Sequence, residues 1–156
     1  MVRRAVQKDA ETVSRILLQV NDVHAQGRPD IFIKGGVKYD LEATKELIAD
    51  PEKQIFVFEN DDNEVLGYLI AWYEETPGDT SRRYRKTMYI DDLCVDESAR
   101  GKHVGAELYE YAAAEAKKND CDSVTLNVWE CNTGARIFYE RMGLKPLKTT
   151  MESVLK

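Results

Sequence analysis

A basic loop, Arg100 to Ala106, joins an apolar run to a segment of helical periodicity and has the residue types that bind an anion. The first turn of a helix has unpaired N–H groups and a partial positive charge, so a loop that enters a helix can hold phosphate. Gly101 and Gly105 let a backbone approach a ligand closely, and Arg100 and Lys102 add positive charge. The same residues also suit an ordinary turn with a solvated basic edge, and the loop by itself does not separate the two interpretations.

Two adjacent carboxylates, Asp91 and Asp92, stand within the otherwise apolar run YIDDLCV. Carboxylates are rare inside a sheet because removing their charge from water is costly. Side chains alternate along a strand, so we expect these two to project from opposite faces, with one of them toward a cleft. The other interpretation is a solvated edge, or an ion pair with one of the arginines that precede the run, Arg82, Arg83 or Arg85.

The histidines and cysteines do not have the spacing of a metal site. His24 and His103 lie far apart, and Cys94, Cys121 and Cys131 form no ligand pair. We therefore predict no bound metal and reduced thiols. Because no histidine is near Cys94 in sequence, packing within a strand is favoured over a covalent acyl-cysteine for this residue.

The strands that must position these residues follow from apolar alternation and turn residues. Strands are predicted over Val2–Val6, Gln54–Glu59, Glu64–Glu75, Lys86–Val95 and Ser123–Trp129. The second and third of them form a hairpin, and Leu144 to Leu155 is expected to add a final strand or hairpin.

Four helices are predicted from apolar residues at helical spacing. Three begin after a residue that can act as an N-cap, Asp9, Asp40 or Asn132, and the fourth follows Gly105. The element order is then β-α-α-β-β-β-α-β-α-β, which is typical of a single α/β or α+β domain with helices on both faces of one sheet. Residues 86–129 form a βαβ crossover around the basic loop.

Composition and charge narrow the function classes. The 156 residues suit one domain, and no apolar run is long enough to span a membrane or to act as a signal segment, so a cytoplasmic location is expected. The net charge of −6 gives no general attraction to nucleic acid or to an anionic membrane, and neither is expected as a partner. An acidic protein of this kind favours a cationic substrate over an anionic one.

Two motifs together resemble one known family. VDESARGKHVGAEL is similar to the acyl-CoA-binding motif R/Q-x-x-G-x-G/A of the GNAT N-acetyltransferases, with Arg100 and Gly105 in place and His103 where the first family glycine usually stands. NVWECNTGARIFYERMGLKP resembles the second motif of the family, a strand followed by an Asn-initiated helix with a Phe-Tyr pair. The match is close over Met88 to Pro146 and extends loosely, through the element order, over one domain of residues 1–156.

The resemblance implies the family fold and a place for acyl-CoA. That fold is a mixed, mostly antiparallel sheet of six to seven strands, splayed between its fourth and fifth strands, with acyl-CoA in the cleft. Leu93 and Val95 would then offer backbone groups to the pantetheine arm, and Asn132 would contact the same arm. The diphosphate would be held by the backbone N–H groups of the loop, which are those of Arg100, Gly101, Lys102, His103, Val104, Gly105 and Ala106.

The resemblance also assigns roles on the reacting side. Tyr139 matches the tyrosine often assigned as general acid to the leaving thiolate; without the resemblance it would be interpreted as a core aromatic. Asp91 stands where polyamine-type members have a glutamate, and is expected to orient or deprotonate the amine. His24, Asp92 and Trp72 are further candidates for substrate contact, although packing or capping is the simpler interpretation of His24 and Trp72.

His103 departs from the family pattern, and the departure has a conformational consequence. A Cβ is tolerated at this position if φ is negative, as in the first turn of a helix, because only the N–H must point at phosphate. We therefore expect an outward imidazole and intact CoA binding, and not a catalytic base.

The function predicted from the sequence is direct, acetyl-CoA-dependent N-acetylation of a primary amine. The acceptor is a small cationic amine such as a polyamine or amino acid, or a protein N-terminus. The alternative is a non-catalytic acyl-CoA-binding regulatory module. Edge strands make a homodimer one expected assembly.

Overall fold

One twisted sheet forms the centre of the protein, and the computed structural model describes all residues from Met1 to Lys156. Its strands are β1 (Val2–Arg4), β2 (Lys53–Glu59), β3 (Val65–Thr76), β4 (Arg85–Val95) and β5 (Ser123–Leu126). They lie side by side in chain order, and every neighbouring pair is antiparallel except β4 with β5, which is parallel. The prediction of a mixed, mostly antiparallel sheet is confirmed.

The helices are α1 (Ala10–Gly27), α2 (Leu41–Ala49), α3 (Val104–Lys118) and α4 (Thr133–Arg141). Two predicted caps are confirmed, because Asp40 accepts a hydrogen bond from the N–H of Ala43 and Asn132 accepts one from the N–H of Ala135. Asp9 does not cap α1 with its side chain. Its carboxylate instead accepts from the N–H of Val6 and pairs with Arg3.

Helices cover both faces of the sheet, as predicted, and each face has its own apolar core. On one face α3 packs through Val104, Leu108 and Ala112 on a layer that includes Met88 and Ile90. On the other face α1 packs on a second layer of apolar side chains, which includes Val13, Ile16, Leu17, Val57, Tyr68, Ile70 and Cys94.

A bulge in β4 moves side chains from one core to the other. Ile70 and Ala71 of β3 are consecutive, yet they pair with Asp92 and Ile90, so Asp91 is the extra residue in β4. Ile90 accordingly belongs to the α3 core, whereas Cys94, which strict alternation would place beside it, belongs to the α1 core.

The sheet opens where β5 ends. The parallel pairing runs only from Thr87–Ser123 to Ile90–Leu126, and β4 then continues alone to Val95. The predicted fifth strand over Ser123–Trp129 is therefore shorter than expected, and the splay between the fourth and fifth strands is present.

The strand count is five and not the predicted six to seven. Residues 144–156, expected to form a final strand or hairpin, contain no strand or helix. The reason is a lack of burial, because Leu147, Met151 and Leu155 are all exposed and cover no apolar surface. An alternating pattern stabilises a strand only when one of its faces is buried.

Candidate active site

Asp91 and Asp92 project toward the same side of the sheet, the side covered by α1 and α2. The hydroxyl of Tyr39 donates to Asp91 Oδ2 at 2.7 Å, and the hydroxyl of Tyr68 donates to Asp92 Oδ2 at 3.1 Å. Both tyrosines belong to the α1 core or pack against it. The expectation of opposite faces is wrong because the bulge at Asp91 breaks the alternation on which it depended.

The cationic partner of Asp91 is a lysine and none of the arginines Arg82, Arg83 or Arg85. Lys38 Nζ lies 2.9 Å from Asp91 Oδ2, and the Asp91 side chain is only 11% exposed. Lys38 belongs to the loop between α1 and α2, so this ion pair joins that loop to the bulge of β4. Burial alters the pairing energy here, because a carboxylate away from water interacts more strongly with a nearby cation.

Asp92 is a largely buried carboxylate on which its neighbours have opposing effects. Burial raises the pKa of Asp92, although the positive charge of Lys38 and the hydrogen bond from Tyr68 act in the opposite direction. The two tyrosines respond in turn, since burial raises the pKa of Tyr39 and of Tyr68, and their neighbouring aspartates add to the effect. Both phenols therefore stay protonated and remain hydrogen-bond donors to the carboxylates.

Tyr139 lies on α4 and reaches the same cleft. Burial raises the pKa of Tyr139, and the charges at Asp92 and Cys94 raise it further, so its hydroxyl is within electrostatic range of that part of β4. The side chain is half-buried, and the hydroxyl, which is in no hydrogen bond within the protein, is not among the fully buried polar atoms. A protonated phenol without a protein partner is available to donate to a ligand atom.

The basic loop presents a row of free amides at the start of α3. The N–H groups of Gly101, His103, Val104, Gly105 and Ala106 donate to no protein acceptor. The other two predicted amides are in use, because the N–H of Arg100 donates to Glu97 O and that of Lys102 to Ala99 O. The side chains of these two residues are exposed and form no ion pair, so their charge is available to an anion.

Gly105 lies where α4 approaches the start of α3. A Cβ built at this position would lie 3.3 Å from the ring of Phe138 and 3.5 Å from a methyl group of Val95. Glycine therefore allows the close contact of three elements at one end of the cleft.

Leu93 and Val95 present their backbone groups to the open side of β4. The N–H of Asp96 donates to Leu66 O, on the β3 side. Backbone groups alternate along a strand, so those of Val95 and Leu93 point away from β3, toward the gap left by the end of β5. The structure therefore brings the predicted pantetheine-contacting groups and the free amides to one continuous edge.

His103 is in the left-handed region, with a φ of 63° and a ψ of 5°. The expected negative φ is wrong for this residue. A side chain at positive φ brings Cβ close to the following backbone, which costs roughly 1–2 kcal/mol. The left-handed conformation explains why family members usually have glycine at this position. His103 adopts the same conformation at a cost in stability.

Asn132 and His24 contact each other at the start of α4. Asn132 Oδ1 accepts the capping bond from Ala135, so its Nδ2 faces His24 Nε2 at 3.4 Å. That geometry requires a neutral imidazole whose Nε2 accepts, and burial does lower the pKa of His24, with the charge of Lys38 adding to the effect. The ring also stacks on Phe32, which contacts Trp129 edge-on.

Trp72 lies on β3 next to the acidic pair but does not touch it. Its ring contacts Tyr89 at 5.2 Å between centroids and is covered by the ammonium group of Lys53 at 3.9 Å. Its indole N–H donates to Glu74. The structure therefore favours the packing interpretation of Trp72.

The environment of Cys94 does not suit a covalent acyl-cysteine mechanism. Burial raises the pKa of Cys94 to about 12, so the group is a thiol at neutral pH.

No group of three or more His, Cys, Asp or Glu side chains is arranged to hold a metal ion. None of the helices combines the length and apolar character needed to cross a bilayer.

Three comparisons with known proteins agree with this geometry. Residues 20–144 match the acetyltransferase (GNAT) family. The chain is 30% identical over 116 residues to a peptidyl-lysine N-acetyltransferase, YjaB, of Salmonella typhimurium, a match that covers 73% of this chain and 65% of that protein. It is 32% identical over 63 residues to a glucosamine 6-phosphate N-acetyltransferase of Arabidopsis thaliana, with 40% of each chain covered.

A solved structure extends the similarity over the whole chain. A variant of the BH1408 protein from Bacillus halodurans superposes with a TM-score of 0.95 at 30% identity, covering 100% of this chain and 99% of that one. The chain spans less than two thirds of the length of the two curated relatives, so the superposed fold, and not their activities, is what the full length shares.

Two of the residues that define the acidic site were not singled out from the sequence. Lys38 stands in a loop without periodicity, and Tyr68 is an aromatic in a long apolar strand. Neither has a local pattern that identifies its partner, because both contacts join residues far apart in the chain. One local feature of the sequence does bear on the position of Lys38 and Tyr39. They directly precede Asp40, and the cap at Asp40 fixes where α2 begins and so the direction of the residues before it.

We expect His103→Gly to raise the free energy of unfolding by about 1 kcal/mol, because glycine adopts the left-handed conformation without a Cβ clash. The matched control is His103→Ala, which removes the imidazole and keeps the Cβ, and which should not be stabilising. Urea unfolding followed by circular dichroism measures both variants. Equal stability of the two variants would contradict the strain at this residue.

Proposed function

The chain belongs to the acetyltransferase (GNAT) family, and from that premise we propose that it transfers an acetyl group from acetyl-CoA to a primary amine. The observation that carries the proposal is the cleft between β4 and the end of β5. Free amides of the basic loop lie at the start of α3, and Tyr139 on α4 lies within electrostatic range of Asp92 on β4. The free amides support anion binding, and Tyr139 with the carboxylates supports proton transfer.

The residues present suit acetyl-CoA as the acyl donor. The free amides at the start of α3, with Arg100 and Lys102 beside them, suit a diphosphate, which carries several negative charges. The unpaired backbone groups of Leu93 and Val95 suit the amides of a pantetheine arm, which add to the edge of β4 as a strand would. When bound, acetyl-CoA supplies an activated thioester carbonyl.

We assign Asn132 a structural role and not the contact with the CoA arm that the resemblance implied. Its side chain is used twice, for the cap of α4 and for the contact with His24. Its contribution to the cleft is therefore to fix the start of α4, and with it the position of Tyr139 on the same helix. We assign it as a positioning residue.

The two aspartates divide the handling of the amine. Asp91, largely buried and held by Tyr39, attracts and orients the incoming ammonium group. Asp92 has a raised pKa and lies within electrostatic range of Tyr139, so it takes the proton that the amine must lose before it can attack. This assignment keeps Asp91 in the acceptor site and gives the base role to its neighbour.

Tyr139 acts on the sulfur end of the reaction. As the C–N bond forms and the C–S bond breaks, negative charge develops on sulfur, and the phenol donates a hydrogen bond to it. A thiol has an ordinary pKa of about 8.5 and a phenol one of about 10, and the pKa of Tyr139 is raised above that value. Complete transfer of the phenol proton is therefore uphill, and the proton that the amine releases balances the one that sulfur gains.

The substrate class is a cationic primary amine. A carboxylate at the rim favours an ammonium group, and the net charge of −6 adds attraction at long range. One relative is named for action on peptidyl-lysine. Because the Asp91 side chain is only 11% exposed, a linear alkylammonium such as a lysine side chain or a polyamine should reach it more easily than a ring-borne amine does.

Turnover on a panel of amines tests the proposal. We expect thiol release from acetyl-CoA only when a primary amine is added, with lysine peptides and polyamines ahead of amino sugars. Release is followed with a thiol-reactive dye, and the acetylated product is identified by mass spectrometry. Tight CoA binding without turnover on any amine would instead indicate a non-catalytic acyl-CoA-binding module.

We expect Gly105→Leu to weaken CoA binding by about tenfold or more, since two charge-assisted hydrogen bonds are worth more than about 1.4 kcal/mol. The leucine collides with Phe138 and Val95 and displaces the amides that face the diphosphate. Glu110→Leu, on the exposed side of the same helix, is the matched control and should bind CoA normally. Titration calorimetry gives both affinities, and an unchanged affinity in Gly105→Leu would remove this loop from the site.

We expect Tyr139→Phe to lower kcat by about tenfold to a hundredfold, the value of one hydrogen bond to a developing charge. CoA affinity should change little, because the ring is retained and the proposed diphosphate site is made by the separate amides of the basic loop. Tyr111→Phe makes the same chemical change on α3, where the ring packs on Phe56, and should retain full activity. Equal kcat values for the two variants would exclude Tyr139 from the reaction.

A further inference from the structure

One primary amine of the protein itself lies in the acceptor site. Lys38 Nζ is 2.9 Å from Asp91 Oδ2 and also donates to the backbone oxygen of Asp91 at 3.3 Å. The ammonium group lies over the ring of Tyr39, 5.4 Å from its centroid. A carboxylate, a carbonyl oxygen and an aromatic face are three groups that recognise an alkylammonium ion.

The carboxylate of Asp91, which binds this ammonium group, is held in a fixed position. Asp91 is the bulge residue of β4, and the Tyr39 hydroxyl holds the same carboxylate oxygen that Lys38 contacts. The Asp91 side chain is 11% exposed while that of Lys38 is 45% exposed, so the lysine enters the site from the solvent side. An external amine would have to approach along the same path.

Lys38 differs from the other paired lysines of the chain. Lys45 pairs with Glu42 and Lys118 with Glu115, each within one turn of its own helix and on the surface. Lys38 crosses from a loop to a strand that lies 53 residues further along the chain. Its charge lowers the pKa of both Asp92 and His24, although in each case burial has the larger effect on the pKa.

The groups that the reaction needs are therefore in electrostatic contact with this amine. The charge of Lys38 lowers the pKa of Asp92, and the charge of Asp92 raises the pKa of Tyr139, so Asp92 is near both the lysine and the phenol. No other lysine has this relation to β4 among the ion pairs of the structure.

We propose that Lys38 is an internal acceptor, which the protein acetylates on Nζ with its own bound acetyl-CoA; this inference rests on the proposed acetyl transfer. The ammonium group gives one proton to Asp92, and the neutral nitrogen attacks the thioester carbonyl. The C–N bond forms, the C–S bond breaks, and the released sulfur takes up a proton, so that the products are acetyl-Lys38 and free CoA. No oxidant, reductant or metal is required.

Acetylation would change the acceptor site that it uses. An amide nitrogen carries no positive charge, so the ion pair with Asp91 is lost and the loop between α1 and α2 loses its charged tie to β4. Asp91 is then free to bind an external ammonium group. The first turnover thus converts a site occupied by the protein's own amine into one open to substrate.

The test is the site and rate of self-acetylation in the full chain. Purified protein is incubated with acetyl-CoA alone, and peptide mapping by mass spectrometry follows each lysine with time. We expect Lys38 to be modified at least about a hundredfold faster than Lys34, an exposed lysine of the same loop, because only the first is held beside the reacting groups. The rate constant should not depend on protein concentration, as befits an intramolecular step.

Matched variants separate this inference from the enzyme assignment. Lys38→Arg should abolish the fast modification while Lys34→Arg leaves it unchanged, and Tyr139→Phe should slow it as it slows transfer to external amines. Turnover of the amine panel without fast acetylation of Lys38 overturns the inference alone. Absence of both reactions overturns the inference and the proposed acetyl transfer together. Equal labelling of Lys34 and Lys38 would show that the modification is uncatalysed and would also overturn the inference.

Discussion

The early end of the β4–β5 pairing is the constraint on which the rest of the site depends. Four residue pairs join the two strands, and beyond Ile90 and Leu126 the backbone of β4 has no partner on one side. Unpaired backbone groups away from water are costly, so an edge of this kind is stable only with solvent or a ligand along it. The free amides of α3 lie beyond the same edge, and the opening therefore suits the proposed extended ligand with a charged end.

The bulge at Asp91 adds the acidic half of the site. Without it, the two carboxylates would lie on opposite faces, one of them in the apolar core under α3. With it, both lie among the phenols of Tyr39 and Tyr68, which remain protonated because burial raises the pKa of each. The bulge and the two phenol hydrogen bonds thus lower the cost of burying two adjacent carboxylates in the sheet.

Local features of the chain were predictable, and features that depend on contacts between distant segments were not. The caps at Asp40 and Asn132 were found from the sequence because a cap bonds to a residue three positions away. The bulge, the true end of β5 and the left-handed φ of His103 depend on neighbours or on backbone geometry that no period reveals. The pairing of Lys38 with Asp91 joins two segments whose approach is set by the whole fold.

The shortness of the outer strands has a consequence for behaviour in solution. β1 contributes three residues at one edge of the sheet and β5 four at the other. Edges so short present few unpaired N–H and C=O groups to a strand from another molecule, and an acidic net charge adds mutual repulsion. The outermost strands β1 and β5 are therefore poor templates for edge-to-edge aggregation, whereas the unpaired end of β4 is open to an extended ligand.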